Sequence, residues 1–301
     1  MRLIIQVVPR DYNILSISCT HFGSVLHTES GFASLVDKVT HSYEGLKPVR
    51  NFVVHHGDHV EGKLIDHPHF YMATNQSADI LPQVWRTVEA YKPIRKHIVA
   101  LLEGNHDRAL WKFGNIPALI SKDLYGNFDR YATASCRIHW ITKSGDILFK
   151  QFATHGYKSI GSVSPDPVRN FANLQYQLKD RLRKKAGDCF LMTRGHSHKL
   201  FTVPPMQELY LHDNGQSVHS DYTSTSQSRT WIHPDHRWYI SVGAFYRVYG
   251  SELTKYDPED PTHSVLSSYV ETSDHDPVQL GYAVILVRDG KIVKVNEEFV
   301  S

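Results

Sequence analysis

The chain has 301 residues, 41% of them hydrophobic, with Lys+Arg 33 set against Asp+Glu 31. That length buries a full core as one large α/β domain or two small ones, and the near balance of charge excludes a global basic field for nucleic acid while leaving room for a local one. Cys19, Cys136 and Cys189 do not make a disulfide framework, the Met1–Gln6 run is too short for a signal peptide, and no stretch approaches the roughly 20 apolar residues of a bilayer span, so the expectation is a soluble cytoplasmic protein with no membrane partner.

Leu3–Val8 and Ile14–Ser18 read as strands, the second running into Cys19-Thr20-His21. Phe32–Ser42 has helical spacing, with Phe32, Leu35, Val36 and Val39 on one face. Asn51–His55 is a strand leading into Gly57-Asp58-His59-Val60-Glu61. Ala78–Tyr91 reads as a helix with Ile80, Val84, Trp85 and Val88 on one stripe, and His97–Leu102 as a strand leading into Gly104-Asn105-His106-Asp107. Cys136–Ile141 and Ile147–Phe152 form a hairpin turning at Ser144-Gly145-Asp146, which leads to Thr154-His155-Gly156. Pro167–Lys185 is a long helix with Phe171, Leu174, Leu178 and Leu182 inward. Arg181, Arg183, Lys184 and Lys185 suit the negative end of its dipole. Phe190–Thr193 is a strand ahead of Gly195-His196-Ser197-His198. The polar stretches 213–235 and 255–277 read as long loops, either functional lids or ordinary surface excursions.

Five strand ends thus carry residues of metal-ligand type. Two divalent ions about 3.5–4 Å apart clamp the attacking and leaving oxygens of a phosphoryl group. Such a pair needs a bridging carboxylate, several neutral imidazoles and an amide oxygen. Asp58, the histidines at 21, 155, 196 and 198, and Asn105 supply that set. Mixed nitrogen and oxygen ligation suits Mn, Fe, Zn or Ni better than Ca or Mg alone. Glycines at 57, 104, 156 and 195 fit tight turns beside a ligand. His55-His56 and His67/His69 are left as surface, supporting or adventitious histidines.

Taken in order, the five motifs resemble the calcineurin-like metallophosphoesterases, whose pattern is D-x-H, G-D-x-x-[DE], G-N-H-[DE], a later His-Gly or Gly-His, and G-H-x-H. The resemblance runs from about position 13 to 198, with a looser echo near Tyr239–Phe245 and Tyr282–Val287. It implies an α/β fold of αββα layers, two mixed sheets flanked by helices, with residues 1–301 as a single domain. It also implies a first metal on Cys19, His21, Asp58 and His198, and a second on Asp58, Asn105, His155 and His196. His106 then serves as general acid or charge stabiliser, Asp107 orients it or caps the next helix, and Glu61 is a supporting carboxylate. The implied reaction is attack of metal-bound hydroxide on a phosphate ester, monoester or diester.

One position departs from the family. Its first ligand is an aspartate, and Cys19 stands there. Cys19 reads as a thiolate ligand favouring Zn or Fe over Mn, as a non-ligand that leaves the first site weak or empty, as an engineered or divergent change that lowers activity, or as a plain buried thiol. Two other functions stay open beside the phosphoesterase. A nuclease of the same fold would use the basic 181–185 segment and aromatics such as Trp231, Trp238, Tyr239, Phe245, Tyr246 and Tyr249. A catalytically impaired binding scaffold would follow from a broken first site. The oligomeric state is not legible.

Overall fold

The computed structural model describes residues 1–67, 70, 79–224, 226–249, 273–274 and 276–301. The chain begins with β1 (Arg2–Val7), β2 (Tyr12–Ile17), α1 (Glu29–Thr40), β3 (Asn51–His55), α2 (Ile80–Tyr91) and β4 (Ile98–Leu101). Next come α3 (Asn105–Ala109), α4 (Ile116–Tyr125), the hairpin β5 (Ser135–Ile141) and β6 (Ile147–Thr154), α5 (Pro167–Leu182) and β7 (Leu191–Arg194). It continues through β8 (Leu200–Val203), β9 (Leu209–Asp213), β10 (Val218–Tyr222), β11 (Trp238–Val242), β12 (Gly281–Arg288) and β13 (Lys291–Phe299).

Two mixed sheets result. One has the order β13-β12-β2-β3-β4 and the other β1-β5-β6-β7-β11-β8. In the first, β2, β3 and β4 are parallel and β12 is antiparallel to β2. In the second, β6, β7 and β11 are parallel, and β5 and β8 run against them. Alternation along each strand sorts its side chains between layers. Tyr12 and Ile14 with Ala283, Ile285 and Val287 pack against Ile138, Trp140, Phe149 and Ala153 of the other sheet. Leu15 and Ile17 with Tyr282, Val284 and Leu286 face α1, α2 and α4 through Leu35, Val84 and Ile120. Beyond the six-stranded sheet, Leu178 and Leu182 of α5 cover Phe152, Met192 and Phe201. The layers are therefore αββα. Among the described residues no helix is long and apolar enough to cross a membrane.

Three expectations need correction. Trp85 is 60% exposed, because Gln83 and Thr87 take the buried flank of α2. Gln83 accepts the Gly62 N–H at 3.0 Å, and Thr87 bonds back to the Gln83 carbonyl at 2.8 Å. Phe171 is 46% exposed and meets Phe201 edge-on, and the buried residues of α5 are Leu178 and Leu182, in its last turns. The stretch 213–235 is not one loop: its start closes the β9–β10 hairpin, whose strand residues are all exposed and so carry little burial signal. Ala78, His69 and most of 255–277 lie outside the described residues.

Candidate metal centre

The five motifs occupy the turns after β2, β3, β4, β6 and β7, at the edge where the two sheets meet. Backbone bonds zip these turns together. Cys19 N–H donates to the Gly57 carbonyl at 2.9 Å, His21 N–H to Asp58 at 3.1 Å, and His155 N–H to Ala134 at 2.9 Å. Cys19, His21, Asp58, His196 and His198 all have positive φ, between 47° and 68°. Non-glycine residues there cost about 1–2 kcal/mol each and mark places where the surrounding structure imposes the conformation. Glycine is required beside them. A Cβ on Gly104 would strike the Asp58 carboxylate, and one on Gly57 would meet the Gly104 backbone.

Asp58 lies at the centre. Its Oδ2 is 3.2 Å from His155 Nε2, 3.8 Å from His21 Nε2 and 3.9 Å from Cys19 Sγ. Oδ1 accepts the His106 backbone N–H at 2.9 Å. Asn105 Oδ1 is 2.9 Å from His155 Nε2. Burial pushes the Asp58 carboxyl up, but His155, His106 and His21 hold it well below the usual range, so it is ionised.

The two histidines flanking Asp58 are tied from behind. His21 Nδ1 donates to Glu61 Oε2 at 2.9 Å, and His155 Nδ1 donates to the His56 carbonyl at 2.6 Å. Each tie aims Nε2 at Asp58, the orientation that an outer partner imposes on a metal-ligating imidazole. His21 Nε2 is buried with no hydrogen-bond partner, a donor atom that a cation would satisfy. Burial and the neighbouring His21 keep His198 neutral, at about 3, and burial with His155 keeps His196 at about 4. Neutral imidazole is the form that ligates. His155 goes the other way: burial lowers its pKa, but the Asp58 carboxylate outweighs it and raises it, so the site attracts positive charge. Ligand atoms of Cys19, His21 and His198 converge within 4.8 Å of one another, and so do those of Cys19, Asp58 and His155. Either group could hold a metal ion.

His196 stands further out. Its ring lies 5.1 Å from that of His155 and parallel to that of Tyr157 at 6.3 Å. Cys19 is fully buried, and burial together with Asp58 pushes its thiol well up. A thiolate there therefore requires a bound cation.

Asp107 does not orient His106 in this structure. Its Oδ2 accepts the backbone N–H groups of Asp58 and Gly104, each at 2.8 Å, and its Oδ1 accepts that of His59 at 3.0 Å. It caps α3 and staples the second motif to the third. His106 is instead held by Nδ1 donating to the Glu61 carbonyl at 2.5 Å. Glu61 pairs with Lys63 at 2.6 Å. Burial would raise its carboxyl, but Lys63 and His21 bring it down to about 2.

His55 and His56, for which the sequence left surface, supporting and adventitious roles open, are buried, and so is His59. His59 bridges Tyr91 Oη at 3.0 Å and the Leu102 carbonyl at 2.8 Å. Tyr246 packs its ring 4.5 Å from that of His21. Trp111, 76% exposed beside Asn105, carried no motif at all. Its position six residues after Asn105 was the available signal. Of the aromatics singled out, Tyr239, Phe245 and Tyr246 are core, and Trp231 and Tyr249 are exposed.

A family model for the calcineurin-like phosphoesterases matches residues 12–215, a span that holds all five motifs. No curated protein matches the chain. A solved structure of a conserved uncharacterised protein from Streptococcus pneumoniae TIGR4, described as a predicted phosphoesterase, is 13% identical. The alignment covers 97% of this chain and 100% of that one at a TM-score of 0.27, a likeness too loose to weigh.

Proposed function

The chain belongs to the calcineurin-like phosphoesterase family, and we propose that it hydrolyses phosphate esters with two divalent metal ions held at the strand ends. Family membership implies metal-dependent phosphoester hydrolysis. The observation that supports the dinuclear reading is the pair of imidazoles, His21 and His155, each tied at Nδ1 and each presenting Nε2 to the same Asp58 oxygen. In this reading Cys19, His21, Asp58 and His198 hold one ion, Asp58, Asn105, His155 and His196 hold the other, and residues 1–301 work as one domain. Bound there, ions of the Mn, Fe, Zn or Ni kind would supply Lewis acidity toward a phosphoryl oxygen and toward water.

The protein's own part is positioning and proton transfer. Asp107 keeps the Asp58 and Asn105 turns in register through three backbone N–H groups. With Nδ1–H given to the Glu61 carbonyl, the neutral His106 ring carries its lone pair on Nε2. Protonated there, it hands a proton to the leaving oxygen. Three buried free thiols suit a reducing compartment.

The test is metal analysis of the purified protein, paired with turnover of a generic phosphodiester and phosphomonoester across Mn, Fe, Zn, Ni and Mg. Two ions per chain with turnover support the reading. One ion or none, with no turnover under any metal, would make Cys19 the residue that breaks the first site and leave a binding scaffold.

A further inference from the structure

Two grooves meet at Asn105. One, lined by Asp58, His106, His196, His198 and Tyr246, opens over the candidate ligands. The other, about 490 Å³, has Asn105 and His155 on its floor and Arg108, Trp111 and Tyr157 around it. Its volume falls within the range of small-molecule pockets.

The second groove has an unusual surface for a wall with no structural task. Trp111 is 76% exposed and Tyr157 is 79% exposed, so both rings present wide faces to water directly beside the candidate ligands. Neither is needed to fill the core. Arg108, also exposed, makes no ion pair among the described residues. Trp111 follows α3, the element that begins with Asn105 and His106, and Tyr157 follows His155 by two residues. The groove is therefore fixed in position relative to the metal centre by the same short segments that carry the ligands.

Large exposed aromatics next to a single cation, opening onto a phosphoryl-binding centre, recognise a flat π-system attached to a phosphate. We propose that the Trp111–Tyr157 groove seats the nucleobase of a small nucleotide-like phosphoester, with Arg108 on its phosphate side. This rests on the phosphoesterase reading above. A small ester fits better than a nucleic-acid strand, because the groove offers one cation, Arg108, beside one carboxylate, Glu103, and the chain is near charge balance, 33 basic against 31 acidic residues. A polyanion needs a track of several cations.

The test compares binding of AMP and of ribose 5-phosphate, which differ only by the base, to the metal-loaded protein by calorimetry. AMP should bind about tenfold more tightly, in line with base–aromatic stacking. Trp111→Ala should erase that difference, and Trp111→Phe should keep most of it. Trp111 is exposed, so the variants will fold, and Tyr157→Ala gives an independent check on the facing wall. Equal affinities for the two ligands in the parent, or a difference that survives both Trp111→Ala and Tyr157→Ala, would overturn the proposal. A tetranucleotide that binds far more tightly than AMP, and loses that advantage with added salt, would assign the groove to nucleic acid and overturn it as well. Because binding is read without turnover, a parent that hydrolyses no ester would sink the phosphoesterase reading and still leave the base preference measurable.

Discussion

His56 Nε2 and Thr193 Oγ1 lie 2.7 Å apart, a hydrogen bond that joins the two sheets through the core. His56 follows β3 and donates Nδ1–H to the Ile17 carbonyl of β2 at 3.1 Å, so the Thr193 hydroxyl donates to Nε2. Gln151 donates to the same hydroxyl at 2.9 Å and accepts from Trp140 Nε1 at 3.1 Å. The His56 carbonyl in turn holds His155. A buried polar chain thus runs from the six-stranded sheet to the metal centre. Burial pushes His56 down to about 4, which keeps it neutral and suited to one donated and one accepted bond.

Thr193→Val keeps the shape and removes the hydroxyl, leaving His56 Nε2 and Gln151 Nε2 buried without that partner. The expected loss is about 2 kcal/mol of stability, with Thr193→Ser near the parent. Denaturant unfolding measures it. An unchanged midpoint for the valine variant would mean that the cross-sheet bond contributes nothing.

As a ligand, Cys19 would set the metal preference. Burial and Asp58 disfavour its thiolate, so metal uptake at this position must release a proton. Thiolate favours Zn over Mn strongly, and a carboxylate narrows that gap in favour of Mn. Cys19→Asp is therefore expected to raise Mn affinity at least about tenfold, read by equilibrium dialysis with each ion. Zinc stoichiometry that stays at two per chain in Cys19→Ala would show that the thiol is no ligand.

Asp107 and His106 are adjacent, but their substitutions should behave differently. Asp107→Ala strips three buried backbone N–H groups of their acceptor. It should cost at least about 2 kcal/mol of stability and weaken metal binding. His106→Ala should keep the metals and lower kcat by about 10²–10⁴, the usual span of a general acid. Paired unfolding, metal analysis and saturation kinetics separate the two. If His106→Ala turns over like the parent at saturating metal, the proton-donor role is wrong.

The strands, helices and motif turns were legible because each leaves a local trace, whereas the αββα layering came from the family resemblance. β-branched runs such as Asn51–His55 ended in Gly-Asp or Gly-Asn, and helix faces such as that of Leu35 and Val39 repeat with the helical period. The β9–β10 hairpin left no trace, since a strand exposed on both faces has no apolar alternation to read. Asp107 looked like a partner for its neighbour because adjacency is all that a sequence offers. Two of its three partners, Asp58 and His59, lie 49 and 48 residues away. His55, His56 and His59 gave no sign of burial, because a histidine is polar by composition and only its hydrogen bonds make it a core residue.

Away from the metal centre, Asp188 ties β5 to β6. Its carboxylate pairs with Arg137 through Oδ1 and with Lys150 through Oδ2 at 2.8 Å. Burial would raise its pKa, but the bonds from Lys150 and Arg137 outweigh it and hold the carboxyl below the ordinary aspartate value of 3.8. The sign of the linkage follows. As pH falls, the unfolded chain takes up the proton first, so the stabilisation is complete above the ordinary value and is lost as pH falls through the lower folded one. The carboxylate is partly open to solvent, which limits the effect to about 1 kcal/mol. Asp188→Asn should therefore be less stable than the parent by that amount at neutral pH, and the gap should close below about pH 4. Urea unfolding of both proteins in metal-free buffer from pH 7 to pH 3 measures it. A gap that persists unchanged at pH 3 would assign the loss to packing of the amide rather than to the carboxylate's charge.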